Sequence, residues 1–187
     1  MELRAGTEFA GYVIERQLGA GGMGVVYLAR HPSLERLVAL KILNDMLAND
    51  PGARAAFERE AKLAARLEHP NIVAVYDRSG PGDPALWLSM RYIAGGDAAG
   101  LLTAEPGGLD PARALQLLAD AADALDHGHA QGVLHRDVKP ANLLIDHDRR
   151  RGERAVLTDF GIAKTLEDTV TLSSVAASFA YAAPSAS

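Results

Sequence analysis

The chain has 187 residues, 48% hydrophobic and 23% charged, a balance that suits one globular core or two small ones and excludes wholesale disorder. A formal charge of −5 argues against nucleic acid or an anionic membrane surface as the main partner. The absence of cysteine excludes disulfides and thiolate metal sites and fits a reducing cytoplasm; neither a hydrophobic signal core nor 18 uninterrupted apolar residues occurs.

Residues 9–18 predict a first strand, with alternation clearest from Tyr12 to Leu18, and residues 25–29 a second. Between them lie Gly19, Gly21, Gly22 and Gly24. The spacing Gly19-x-Gly21-x-x-Gly24 admits two phosphate-binding readings. A dinucleotide fold needs a helix opening directly after the glycines. Here the β-branched Val25-Val26 follows, which favours a glycine-rich hairpin lying over a triphosphate as a lid. Alone, the motif is equally well read as a flexible hairpin. A third strand over 38–41 ends on Lys41, and a lone lysine in such a place is ordinarily just solvated. The segment 51–67 carries Phe57, Glu60, Ala61, Leu63, Ala64 and Leu67 at helical spacing. Glu60 falls inside that pattern, whereas Glu58 lies about 200° away around the helix. Strands over 72–76 and 86–90, joined by a Gly/Pro loop over 79–84, complete a five-stranded antiparallel unit with one main helix.

The next stretch, 95–108, is loop-rich with a short helix near 98–103. Asp110 as N-cap and Pro111 in the first turn start a long helix that ends near Gly132. Its apolar stripe, Leu115, Leu118, Ala122 and Leu125, is expected to underlie a second core. His127 and His129 are two apart and do not share a face, which argues against a metal site. A small hairpin over 143–145 and 155–157 surrounds Arg149-Arg150-Arg151, a basic turn flanked by acids and read as solvated rather than as a nucleic-acid contact.

The densest chemistry lies at 135–142, His-Arg-Asp-Val-Lys-Pro-Ala-Asn, followed by Asp159-Phe160-Gly161. For phosphoryl transfer each polar group has a task. Asp137 can accept the proton of an attacking hydroxyl, and Lys139 can set its ammonium against the transferred phosphate. Asn142 and Asp159 offer hard oxygen ligands to Mg²⁺.

This ordered set resembles the eukaryotic-like serine/threonine protein kinases of bacteria, of actinobacterial type, with Lys139-Pro140 matching the serine/threonine branch. The resemblance spans residues 19–184. It implies an α+β, two-lobe fold, with an N-lobe over 1–93 and a mostly helical C-lobe over 94–187 that is incomplete, the chain being truncated after the activation segment. It further implies ATP and Mg²⁺ as cofactors. Leu18, Gly19, Ala20, Gly21, Gly22 and Gly24 would cover the nucleotide, and Lys41 would bind its phosphates while paired with Glu60. Leu18, Val26 and Ala39 would roof the adenine pocket, Leu144 floor it and Met90 guard its back. Tyr92 and Ile93 belong to the hinge that holds adenine through backbone groups, and Arg91 stands where the family often has an acid. Arg136 implies an activation segment that is gripped when phosphorylated, with Thr165, Thr169, Thr171, Ser173 and Ser174 as candidate acceptors. His135 reads as architectural. Ser178 stands near the family's threonine, and Ser185 replaces a glutamate. Implied partners are protein substrates with Ser or Thr hydroxyls and a second copy through the N-lobe. The implied location is cytoplasmic, with full-length relatives anchored to membranes. The alternative is a non-catalytic ATP-binding or interaction fragment of such a kinase.

Overall fold

Ala10 and Gly11 both adopt positive φ (49° and 84°), a two-residue turn that folds β1 (Glu8–Phe9) back onto β2 (Tyr12–Gly21). The computed structural model describes residues 3–150 and 152–160. β2 is followed by β3 (Gly24–Arg30) and β4 (Leu37–Leu43), and later by β5 (Val75–Arg78) and β6 (Trp87–Arg91). The six strands pair antiparallel in the order β1-β2-β3-β4-β6-β5. This is one strand more than the sequence pattern predicts, because a two-residue strand is too short to show alternation. β2 carries register shifts between Ile14 and Arg16 and between Gln17 and Gly19, the second just where the glycine-rich segment begins.

Two helices follow β4. Asn44 caps the short α1 (Asp45–Asn49), which the sequence pattern does not announce, and Asp50 caps α2 (Pro51–Ala64) by accepting the Ala53 N–H at 2.7 Å. α2 lays Ala53, Ala56, Phe57, Ala61 and Ala64 on the sheet residues Leu88 and Met90. It ends three residues before the predicted 67, where Arg66 and Leu67 bond back to Leu63 and Ala64 in a tighter turn. The opposite sheet face packs Tyr12, Tyr27, Leu40 and Trp87.

The strand expected at 72–76 is displaced to β5. Residues 71–73 spend their backbone groups elsewhere: Leu157 N donates to Asn71 O at 2.8 Å, and Val73 N donates to Leu157 O at 2.9 Å. They thereby sew the sheet lobe to a separate hairpin, β7 (Leu143–Asp148) with β8 (Gly152–Leu157). The second lobe also holds α3 (Ala98–Ala104), capped by Asp97, and α4 (Pro111–Ala130), capped by Asp110 as predicted. α4 turns Leu117, Asp120, Ala121, Ala124 and Gly128 inward. Of the predicted stripe, Leu115 and Leu118 lie on the other side, 67% and 60% exposed, whereas Leu125 packs against the core around Ala124, Val133 and Leu157. Both faces are apolar, and the smaller residues win the interior because β8 passes close enough for Ala155 N to donate to Asp120 Oδ2 at 2.8 Å. Among the described residues, no helix is long and apolar enough to cross a membrane.

Candidate active site

A cleft of about 400 Å³ opens between the sheet and the β7–β8 hairpin. Its walls include Leu18, Gly19, Val26, Ala39, Met90, Tyr92, Ile93 and Leu144, all expected from the sequence, with Asn142 and Asp159 at one end. Ala20, Gly21, Gly22 and Gly24 are not among the lining residues; they form or flank the hairpin tip between β2 and β3. The wall also contains Arg91, placed beside the hinge by the sequence, and Arg16, Val73, Asp97 and Thr158, which sequence reasoning missed. Arg16 Nη2 donates to Tyr92 Oη at 3.3 Å across the mouth, a contact between residues 76 positions apart that no local pattern announces.

The hinge 91–97 is fastened to β7. Ile145 N donates to Gly96 O at 2.9 Å, and a Cβ on Gly95 would fall 2.0 Å from Ile145 O, so glycine is required there. Arg91 Nη2 meets Asp146 Oδ2 at 2.9 Å, and Arg154 Nη2 reaches the same oxygen at 2.7 Å. Burial would raise the Asp146 carboxyl pKa, but the two guanidiniums prevail and hold it below its ordinary value. In place of the expected hinge acid, this chain has a cation that crosses between the lobes.

The polar cluster is built by a turn (Pro140–Asn142) leading directly into β7. His135 is buried, and its Nδ1 accepts the Asp137 N–H at 3.2 Å. Its Nε2 therefore carries the proton and donates to Thr158 O at 2.7 Å. Burial pushes the imidazole pKa down, which keeps the ring neutral and suits the architectural role read for it. Lys139 Nζ lies 2.8 Å from Asp137 Oδ2, and that contact holds the Asp137 carboxyl below its usual range. Asn142 Nδ2 donates to Asp137 O at 2.8 Å and to Asp137 Oδ2 at 3.2 Å. With its NH₂ so engaged, Asn142 keeps its amide oxygen as an acceptor. Arg136 and Asp159 both take left-handed backbone conformations (φ 67° and 62°), strain that the surrounding packing must hold.

One expected contact is not formed. Lys41 Nζ bonds Asp159 Oδ1 at 2.8 Å, while the Glu60 carboxylate is met by Arg59 Nε at 3.3 Å. Lys41 and Glu60 are both buried, but no hydrogen bond or ion pair joins them. The turned backbone at Asp159 accompanies a carboxylate held against Lys41, and the neighbouring arginine satisfies the glutamate. Gly161, Thr165, Thr169, Thr171, Ser173, Ser174, Ser178 and Ser185 lie outside the described residues. The site therefore combines an ionised carboxylate beside an ammonium, an amide oxygen and a second carboxylate near the cleft, and an apolar slot beside a hinge.

The protein kinase domain model matches residues 12–186. The serine/threonine-protein kinase PknJ of Mycobacterium tuberculosis is 52% identical over 185 residues, covering 98% of this chain and 31% of that protein. PknF of the same organism is 46% identical over 188 residues, covering 98% of this chain and 39% of that protein. The chain thus spans about a third of the length of these curated relatives. The crystal structure of the Mycobacterium tuberculosis PknI kinase domain superimposes with a TM-score of 0.74 at 41% identity, covering 86% of this chain and 64% of that one.

Proposed function

The chain belongs to the protein kinase domain family and has its two-lobe fold, and on that premise we propose that it transfers the γ-phosphoryl group of ATP to serine or threonine hydroxyls of proteins. The observation that carries this reading is the Asn142 bridge. One amide fixes both the backbone and the carboxylate of Asp137 and keeps its own oxygen as an acceptor, with Asn142 and Asp159 lining the same cleft.

In this reading adenine enters the slot between Ala39 and Leu144 and bonds the hinge backbone at 91–93. The glycine-rich hairpin covers the phosphates. Asn142 and Asp159 fit Mg²⁺ as hard oxygen donors. Among the described residues no group of three or more His, Cys, Asp or Glu gathers, so the remaining positions fall to phosphates and water. The metal, when bound, offsets phosphate charge. Asp137, ionised at neutral pH, orients the attacking hydroxyl and takes its proton. Lys139 moves from Asp137 to the developing charge on the phosphoryl oxygens. Lys41 leaves Asp159 for the nucleotide phosphates and gains Glu60 as its partner. Residues 1–93 serve as the nucleotide-covering lobe and 94–187 as the catalytic one. Autophosphorylation among Thr165, Thr169, Thr171, Ser173 and Ser174 and a cytoplasmic setting, where ATP and Mg²⁺ are plentiful, belong to the same proposal. So does pairing of two copies through the small lobe. There the exposed Val13 and Leu37 flank Arg30 in one row across β2, β3 and β4, a surface whose self-association sedimentation velocity would detect.

The deciding experiment is transfer from γ-labelled ATP with Mg²⁺ to the chain itself and to a generic basic protein, with Asp137→Asn alongside. Label that falls by about 10²–10⁴-fold in the variant, with nucleotide binding intact, is the expected result. A second reading, an ATP-binding fragment without turnover, is favoured by one observation: Lys41 rests on Asp159 rather than Glu60. Nucleotide binding with no label from folded wild-type protein would establish it instead.

A further inference from the structure

Asn44, between β4 and α1, is the meeting point of four hydrogen bonds, one of them the helical bond from Ala48 N–H to its carbonyl at 3.1 Å. Its Oδ1 accepts the Leu47 N–H at 3.0 Å and caps α1. Its Nδ2 donates to Gly22 O at 2.7 Å, and its backbone N–H donates to Met23 O at 2.9 Å. Gly22 and Met23 are the two residues of the hairpin tip between β2 and β3, so a single residue grips both carbonyls of the tip.

On its β3 side the tip is held where Gly24 pairs with Leu43 and lies tight on the Ile42 carbonyl, and the Met23 side chain is half-buried against the α2 core. On the β2 side the tip is open: a side chain built at Gly19, Gly21 or Gly22 would have nothing within 4 Å. In a planar trans peptide the carbonyl and the following N–H point in opposite directions. Drawing Gly22 O towards Asn44 therefore fixes the Met23 N–H away from it.

We propose that Asn44 is a positioning residue for the nucleotide, its side-chain amide holding the glycine-rich tip in register over the triphosphate. The proposal rests on the kinase reading above. It separates two roles that one side chain combines: the oxygen serves α1, and the NH₂ serves the lid.

Asn44→Ser and Asn44→Asp both keep a capping oxygen and lose the NH₂ donor, while Asn44→Ala loses cap and tether together. The measurements are KM for ATP against kcat, the Kd of a fluorescent ADP analogue, Tm, and amide exchange at position 44. In the Ser and Asp variants, Tm stays near wild type. KM and Kd rise about three- to tenfold, the scale of one hydrogen bond, kcat stays within about twofold, and the amide at 44 exchanges faster. Wild-type binding and exchange in both variants would overturn the proposal. So would an effect confined to Asn44→Asp, which would report only its added negative charge, or a fall in Tm with KM unchanged. A wild-type chain that binds no nucleotide would overturn the kinase reading and the nucleotide role together. Unchanged exchange at 44 in variants whose KM and Kd rise would overturn the tether alone.

Discussion

His135 shows how one neutral ring can hold two loops in place. It takes the Asp137 N–H on one nitrogen and gives a proton to Thr158 O on the other, so protonating Nδ1 would abolish the first bond. Its folded pKa is lowered by burial, so at acid pH the unfolded chain binds the extra proton more readily than the folded one. Stability should therefore fall as the pH drops through about 6.5, the ordinary histidine value, towards the depressed folded value. Denaturation midpoints measured from pH 7.5 to 5 should show that slope, and His135→Asn, which cannot titrate, should flatten part of it. An imidazole NMR titration on the wild-type protein gives the same answer without a variant: a midpoint at or above 6.5 would contradict it. Asp137, Lys139, Asn142 and Asp159 were legible in the sequence because the first three share one short loop and the fourth follows by one hairpin. The partner of Lys41 was not. It is 118 residues away, and the choice between Glu60 and Asp159 depends on a backbone twist at 159 that composition does not encode.

Elements were legible where caps and periodicity agreed. Asp110-Pro111 starts α4 as read, α2 opens at Pro51 as its spacing predicted, and the β-branched runs give β3 and β4. Patterns failed where two answers were equally apolar. α4 offers Leu115 and Leu118 on one face and Leu117, Ala121, Ala124 and Gly128 on another, and only the proximity of neighbouring elements selects the second. At Gly128 a Cβ would stand 2.6 Å from Phe160 Cε1, and that ring also packs edge-on against His135 with centroids 4.8 Å apart. Gly128→Ala should gain about 1 kcal/mol of helix propensity. Against this it forces the ring to move, costing about 1–3 kcal/mol. A net loss of up to about 2 kcal/mol in urea denaturation is expected, with weaker nucleotide binding because Asp159 adjoins the displaced ring. A Gly128→Ala variant more stable than wild type with the same nucleotide Kd would show that the ring yields freely.

At the scale of the whole molecule, two lobes are joined by several seams: residues 71–73 on β8, the hinge on β7, Arg91 on Asp146 and Lys41 on Asp159. The two-lobe architecture was legible, since the strand-rich half, the glycine hairpin and the capped long helix follow in order; the seams were not, because each unites residues far apart in sequence. Outside them, the face of α4 that carries Leu115 and Leu118 stands in solvent. Replacing Leu115 and Leu118 together by glutamate should change stability by less than about 1 kcal/mol, because little burial is lost. It should also lower binding of a hydrophobic dye and light scattering at high concentration. A large loss of stability would mean that the face is covered in solution. The ion pair of Lys41 and Asp159, side chains 10% and 20% exposed, spans the mouth from one lobe to the other. A phosphate that draws away the lysine alone strands a carboxylate in a nearly dry place, and a cation that claims the carboxylate alone strands the lysine. Only joint arrival leaves both charges matched. The cleft would thus work as a coincidence detector, with affinity for either ligand rising when the other is present, by the same factor in both directions.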